Sequence, residues 1–282
     1  MKSGEAERPR ILGILNVTPD SFSDGGRFRD AGEAVAAGER MFEEGADIVD
    51  VGGESTRPGS RGVSVEEELE RVLPVIRGLA RRARGRLSID TTKPEVAAAA
   101  LDAGATIVND VSTLRGGDEL ARAAAAAGAE LVIMHSRKTP ADMQVDVRYD
   151  DLLGEVRAEL AAAAERAAAA GVPPDRIWVD PGIGFAKTAE MSVELLARTP
   201  EIAALGYRVL VGPSRKSFIG ALTGAPVEDR LGGTAAAVTA AVLGGADAVR
   251  VHDVRVMRQA VEIAVRMRAA AGGGTVEGGE RV

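Results

Sequence analysis

The chain of 282 residues carries 35 Lys and Arg against 42 Asp and Glu, a formal net charge of −7, with a hydrophobic fraction of 45% and an aromatic fraction of only 3%. That balance suits a packed aliphatic core and argues against a low-complexity chain, a polyanion partner and the aromatic platforms that single-stranded nucleic acid requires. Cysteine is absent, which removes disulfides, thiolate nucleophiles, iron–sulfur clusters and thiolate zinc sites; with only His135 and His252 as imidazoles, an essential metal would be a hard ion held by oxygen.

Residues 1–10, MKSGEAERPR, are charged, lack the apolar stretch of a signal peptide and read as an extension before the first element. Short β-branched runs then alternate with longer helix-period segments: ILGILNV from Ile11, ADIVDVG from Ala46, RLSID from Arg86, TIVNDV from Thr106, ELVIMH from Glu130, IWVD from Ile177, RVLVG from Arg208 and AVRVHD from Ala248. Helix starts are signalled at Ser64, where SVEE forms a capping box closing on Glu67, and at Thr92, where TKPE repeats the device with Pro94 early in the helix. Pro74 predicts a kink rather than a break. The Ala-rich run from Arg157 reads as an outer helix, and the charge-free run from Leu231 to Ala246, with four glycines, falls short of a membrane span, so a cytoplasmic protein is expected. Residues 272–282, GGGTVEGGERV, are predicted to be a disordered tail.

Eight strand and helix pairs in strict alternation predict an α/β protein, a (β/α)8 TIM barrel in one domain over residues 11–271. The competing doubly wound sheet lacks its glycine fingerprint, since GIGFAK at Gly182 has no third glycine and no P-loop precedes Lys187 or Lys216. In a barrel of this kind chemistry gathers at the C-terminal strand ends. Those ends carry Asn16, Asp90, Asn109 and Asp180, strand eight carries Arg250 and His252, and strands two and seven run into GGESTRPG and GPSRKS. Alternation along each strand points Ser88 with Asp90, Ile107 with Asn109, Trp178 with Asp180, and Arg250 with His252 into the barrel. In strand five Met134 is favoured over His135 as the inward residue. Trp178 is expected close below whatever Asp180 grips.

Asp90, Asn109 and Asp180 suit a flat heterocycle with several N–H donors, while Arg250, His252 and Arg57 suit a phosphate, with the Asn16 amide oxygen joining its oxygens around Mg²⁺. One heterocycle plus one phosphate leaving group implies group transfer. Each residue also has a bland alternative as a turn former, a cap or a solvated charge; their convergence on one rim favours function.

GILNVTPDSFSDGG from Gly13, DIVDVGGESTRPG from Asp47, SIDTTKPEVA from Ser88, IVNDVS from Ile107, VDPGIGFAKT from Val179, LVGPSRKSFIG from Leu210 and VRVHDV from Val249 together resemble the dihydropteroate synthase family of folate biosynthesis, in order from about Ile11 to Val254. The resemblance implies condensation of 6-hydroxymethyl-7,8-dihydropterin diphosphate with 4-aminobenzoate, in a homodimer, with sulfonamides as competitors. It implies that Asp90, Asn109, Asp180 and Lys216 hold the pterin, lined by Met134, Phe185 and Gly212. Asn16, Arg250 and His252 would hold diphosphate, with Mg²⁺ on Asn16. Thr56, Arg57 and Pro58, with Thr18 to Ser23, would form mobile loops that close over the site, and Phe22, Pro58 and Ser217 would flank the aminobenzoate. Asp90, Arg57 and Lys216 are the implied catalytic residues. After His135 the chain reads SRKTPADMQ, a departure from the MQG continuation common in the family. Two other readings share this barrel: a methyltetrahydrofolate methyltransferase, which needs no diphosphate site, and a non-catalytic pterin-binding paralogue, which should have lost a strand-end polar group.

Overall fold

The computed structural model describes residues 8–18, 27–55, 59–60, 62–82, 84–139, 142–143, 145 and 147–271. Eight parallel strands, β1 (Arg10–Asn16), β2 (Ile48–Gly52), β3 (Arg86–Asp90), β4 (Ile107–Asp110), β5 (Glu130–Met134), β6 (Ile177–Asp180), β7 (Arg208–Val211) and β8 (Ala248–Val251), close in sequence order with β8 beside β1. Helices follow the strands: α1 (Arg27–Glu43), α2 (Val65–Ala80), α3 (Pro94–Asp102), α4 (Glu119–Ala126), α5 (Leu152–Ala169), α6 (Ala189–Ala197), α7 (Thr199–Ala203), α8 (Ser217–Thr223), α9 (Leu231–Leu243) and α10 (Val254–Ala271). This is the (β/α)8 barrel expected from the alternation, and its strand bounds lie within two residues of those read from the sequence. Among the described residues no helix is long and apolar enough to cross a membrane.

Local chemistry accounts for most helix starts. Ser64 caps α2, its side chain accepting the Glu67 N–H, worth about 1 kcal/mol, and α2 runs through Pro74 without a break. The second expected box does not form. Lys93, not Thr92, is the residue before α3 and makes no side-chain cap; Thr91 Oγ1 instead accepts the Lys93 N–H at 3.2 Å, and Pro94 sets the first turn. The Thr91 hydroxyl, two residues before the cap position, is used in the turn that precedes the helix.

Side-chain alternation sorts the barrel into two shells. Outward Val49, Val51, Ile89, Val108, Ile133, Val179, Val211 and Val251 are buried against the helices. Inward Leu12, Ile48, Ile107, Val132, Trp178, Leu210 and Ala248 form a separate apolar plug. Trp178 therefore faces the interior as expected. Its indole serves the base of the barrel, however, where Nε1 donates to Glu130 Oε2 at 2.8 Å and the guanidinium carbons of Arg208 and Arg10 lie 5.2 and 5.5 Å from the ring centroid. Glu130 also receives Arg86 at 2.9 Å, so one carboxylate ties the starts of β3, β5 and β6 together. The expectation that Trp178 sits close under a ligand gripped by Asp180 is corrected accordingly: its polar edge is committed to the opposite end. Glu130→Ala is expected to shift Trp178 emission and to cost about 1.5–3 kcal/mol of stability, the range for hydrogen bonds to a charged group. Asp180→Asn should leave emission unchanged. Denaturant unfolding followed by tryptophan fluorescence reads both, and unaltered emission in Glu130→Ala would refute the base assignment.

Candidate active site

The C-terminal mouth begins where the apolar plug ends, and its floor is charged. Arg250 on β8 reaches across the barrel, its Nε donating to Asp50 Oδ2 on β2 and its Nη2 to Asp90 Oδ2 on β3, each at 2.6 Å. Asp50 is fully buried, Asp90 nearly so, and Arg250 partly buried. Burial works against the guanidinium charge, but Asp50 and Asp90 more than offset it and hold the Arg250 pKa above its ordinary value. Asp90 is pushed up to about 7, first by burial, against the pull of Arg250 and with further push from Asp50, Glu68 and Asp110.

Asp50 has a second partner: Asn109 Nδ2 on β4 donates to its Oδ2 at 3.1 Å. That bond orients the amide and leaves Asn109 Oδ1 as the acceptor on offer. Asp50 was missed in the motif reading, although Ile48, Asp50 and Gly52 share the inward parity that singled out Asp90 and Asn109. Beside them, a Cβ placed on Gly52 would stand 3.5 Å from Asp90 Cβ and 3.7 Å from Asn16 Oδ1, so the absent side chain lets Asn16 and Asp90 share one side of the mouth.

Opposite, Asp180 on β6 is 3% exposed and accepts the Gly182 N–H at 2.7 Å. Burial pushes its carboxyl pKa up, and the cations Lys216, Lys187 and Arg250 oppose that push. A Cβ on Gly212 would stand 3.8 Å from Asp180 Oδ2, 3.9 Å from Lys216 Nζ and 3.6 Å from Arg250 Cβ, so the bare backbone of β7's end forms the wall between them. Lys216 Nζ donates to Ile183 O at 2.5 Å and lies 4.5 Å over the Phe185 ring; burial lowers its pKa to about 8. Met134 turns inward and packs with Phe185, Ala186 and Met143, while His135 faces the helices. Ser214 Oγ lies 3.0 Å from His252 Nδ1 and accepts the His252 N–H.

Backbone strain concentrates here. The described non-glycine residues with positive φ are Thr113, Leu114, Ala186 and Arg215, all in loops at strand C-termini. Arg215, at φ 55°, is pinned by a two-point ion pair to Asp253 and by Thr234 Oγ1 accepting its N–H, which fixes the neighbouring Lys216. The divergent segment after His135 is held by the fourth loop: Thr113 Oγ1 donates to Met134 O, and Arg115 donates to Ser136 O and Lys138 O. A cavity of about 500 Å³ opens beside Asp90, with Glu54, Lys93, Ser112, Arg115 and Thr139 in its wall. Lys93 bridges Glu54 and the fully buried Glu68 at 2.5 Å each.

The structure thus brings together Asn16, Asp90, Asn109, Met134, Asp180, Phe185, Gly212, Lys216, Arg250 and His252, with exposed Ser217 opening α8 at the rim. Phe22, Thr56, Arg57 and Pro58, the bulk of the two loops expected to close, and the tail at 272–282 lie outside the described residues.

The family model described as pterin binding enzyme matches residues 12–252. The chain is 48% identical over 259 residues to dihydropteroate synthase of Synechocystis, covering 92% of this chain and 90% of the relative, and 42% identical over 259 residues to that of Escherichia coli, covering 92% of each. Among solved structures, Yersinia pestis dihydropteroate synthase in a sulfonamide drug complex superposes with a TM-score of 0.88 at 40% identity, over 94% of this chain and 96% of that one. Xanthomonas albilineans dihydropteroate synthase with 4-aminobenzoic acid gives 0.86 at 45% identity, over 94% of each chain. The match extends along nearly the whole chain, and the chain belongs to the pterin binding enzyme family, within its dihydropteroate synthases.

Proposed function

We propose that the protein condenses 6-hydroxymethyl-7,8-dihydropterin diphosphate with 4-aminobenzoate to 7,8-dihydropteroate and diphosphate, and that the ion triad Asp50–Arg250–Asp90 carries the chemistry. Asp180, Asn109 Oδ1 and Lys216 form a complementary edge for the pterin, with two acceptors for its N–H groups and one donor for its oxygen. Phe185, Met134 and Gly212 form the slot around its faces. In the reaction the bond between the pterin methylene carbon and the diphosphate oxygen breaks first, its electron pair leaving with diphosphate. The amine nitrogen of 4-aminobenzoate then forms the new C–N bond and gives up a proton.

The observation that supports this reading is that Arg250 hydrogen-bonds Asp90 directly. A carboxylate suited to a developing cation and a guanidinium suited to a departing anion are already adjacent and oriented, so little reorganisation is needed as charge separates. His252 extends the anion side. Arg57 and Thr56 would add to it, and Phe22, Pro58 and Ser217 would flank the aminobenzoate. The sulfonamide and 4-aminobenzoic acid complexes of the Yersinia and Xanthomonas relatives support sulfonamides as competitors for that subsite.

Mg²⁺ fits one part of this set. Among the described residues no group of three or more His, Cys, Asp or Glu is arranged to hold a metal. Asn16 Oδ1 beside Asp90 offers a single neutral oxygen, which suits an ion that keeps its waters and is held mainly by substrate phosphates. Asn16 would hold it, and it would neutralise the leaving diphosphate. Dihydropteroate formation from the two substrates with Mg²⁺ is the decisive assay. Excess chelator is expected to abolish turnover while leaving 6-hydroxymethylpterin binding intact, and full turnover in chelator would remove the metal from the scheme.

The two acids have different jobs. Asp180→Asn replaces an acceptor by a donor facing the ring and is expected to weaken pterin binding ten- to a hundred-fold, from about 1.5–3 kcal/mol for a charged hydrogen bond. Asp90→Asn should lower kcat more than it weakens binding, because its charge matters most when the cation forms. Asp90 acts ionised, so kcat/KM of the native protein should rise with pH through its pKa of about 7, and that acid limb should be missing in Asp90→Asn. An identical limb in both proteins would assign it elsewhere.

A homodimer is proposed through the face where α6, α8 and the start of α9 meet. Val193, Leu222, Val227 and Leu231 are 43%, 53%, 47% and 37% exposed there, a grouping of large apolar side chains that a second copy would cover. Light scattering should give twice the chain mass, and Leu222→Glu should shift the population toward monomer.

A further inference from the structure

Lys187 is 2% exposed and lies behind the slot, between the loop after β6 and the end of β5. Its ammonium donates to Phe185 O at 2.9 Å, to His135 Nδ1 at 3.0 Å and, more weakly, to His135 O at 3.5 Å. All three protons are thereby used. Because Nδ1 accepts, the His135 ring carries its proton on Nε2, and that nitrogen donates to Glu159 Oε2 at 3.0 Å on α5. Glu159 is held in turn by the Arg137 guanidinium, whose Nε donates to it at 2.9 Å.

The far end of this chain of bonds meets the slot. The His135 N–H donates to Asp180 O at 2.8 Å, and the turn that follows Asp180 closes with the Phe185 N–H on Gly182 O at 3.0 Å. Gly182, at φ +68°, donates its own N–H to Asp180 Oδ1, and a Cβ there would stand 3.4 Å from Lys187 Nζ. So the ammonium passes directly behind the residue that orients the Asp180 carboxylate, and it holds by its carbonyl the residue whose ring seats Lys216. Burying an ammonium costs several kcal/mol unless its partners are well placed, and an apolar side chain would fill the same space more cheaply. The slot explains the charge: a carboxylate as enclosed as Asp180 needs nearby cations to stay ionised.

We infer that Lys187, His135 and Glu159 form a positioning relay for the pterin slot, in which Lys187 fixes the Phe185 turn against the end of β5 and supplies the rear counter-charge of Asp180. The inference rests on Asp180 and Phe185 being slot walls. Burial and the Lys187 charge both act against protonating His135, whose pKa is lowered to about 4 although Glu159 pulls the other way, so the neutral ring persists across the working range.

With only two histidines in the chain, imidazole NMR isolates the relay. Burial lowers the Lys187 pKa to about 7, so in the native protein one ring should remain the neutral Nε2–H tautomer from pH 5 to about 6.5, where Lys187 is still an ammonium. In Lys187→Met that ring should lose the tautomer and titrate nearer the ordinary histidine value. Calorimetry with 6-hydroxymethylpterin is expected to show a roughly ten-fold weaker Kd in Lys187→Met, of the size typical for coupling through a contact network. The pterin KM should rise while kcat changes less. Glu159→Gln alters only the outer end of the relay, on a partly exposed helix position, and should weaken pterin binding about three-fold with the melting temperature kept. Native pterin affinity in a folded Lys187→Met overturns the inference; if that variant does not fold, native affinity in Glu159→Gln overturns it. A native protein with the expected tautomer that fails to bind 6-hydroxymethylpterin would instead overturn the slot itself.

Discussion

Arg250 cannot be placed where it is without Asp50 and Asp90. Its guanidinium lies inside a barrel directly above an apolar layer, and transfer of an isolated charge into such a space costs far more than any single contact returns. Two carboxylates at 2.6 Å make it tenable, and each of them is tenable only because Arg250 is there. The triad joins β8 to β2 and β3 across the interior, and through Asp50 it reaches β4 by way of Asn109. Removing one member would strand the others, so the mouth is a unit rather than a set of independent side chains.

The same need for compensation shapes the opposite wall. Asp180 is faced by Lys216 from the mouth, by Lys187 from behind and by Arg250 across the floor. Each cation has a lowered or opposed charge because of burial, and each is held by backbone carbonyls or carboxylates that keep it in place. The result is a polar upper layer with its charges nearly matched before any ligand arrives. In the proposed reaction, a substrate bringing a diphosphate and developing a cation would meet partners already oriented for both. The positive-φ residues at Ala186 and Arg215 lie in the two loops that carry Phe185 and Lys216, where local strain is balanced by the hydrogen bonds that fix those loops.

The base answers a different demand. There Glu130 collects Arg86, Arg208 and the Trp178 indole, closing the narrow end with ion pairs that remain partly solvated. The apolar layer of Leu12, Ile48, Ile107, Val132, Leu210 and Ala248 separates this cluster from the triad above. Stability is thus concentrated below and chemistry above, with a dry layer between them that strengthens the electrostatics of the mouth.

Strand and helix alternation, period-two facing and strand-end polar residues were legible in the chain because they are local: β-branched runs, Ala- and Leu-rich helices and the alternation of one strand need no knowledge of its neighbours. They sufficed for the barrel, for the inward facing of Asp90, Asn109, Asp180 and Arg250, and for Met134 over His135. What they did not contain was partnership. Asp50 stood only as one residue of a strand run, Lys187 only as a lysine with no P-loop before it, and Thr92 as a helix cap; the partners that decide the first two roles are far away in sequence, since Arg250 lies 200 residues from Asp50 and His135 lies 52 from Lys187. Trp178 was given the right face but the wrong end, since strand parity sets only the side of the sheet, while the hydrogen bond to Glu130 sets where the indole edge points. Secondary structure and residue facing were decided by short-range chemistry in the sequence; which buried charges neutralise one another was decided only when the barrel closed, because compensation in a low-dielectric interior depends on distances across the fold.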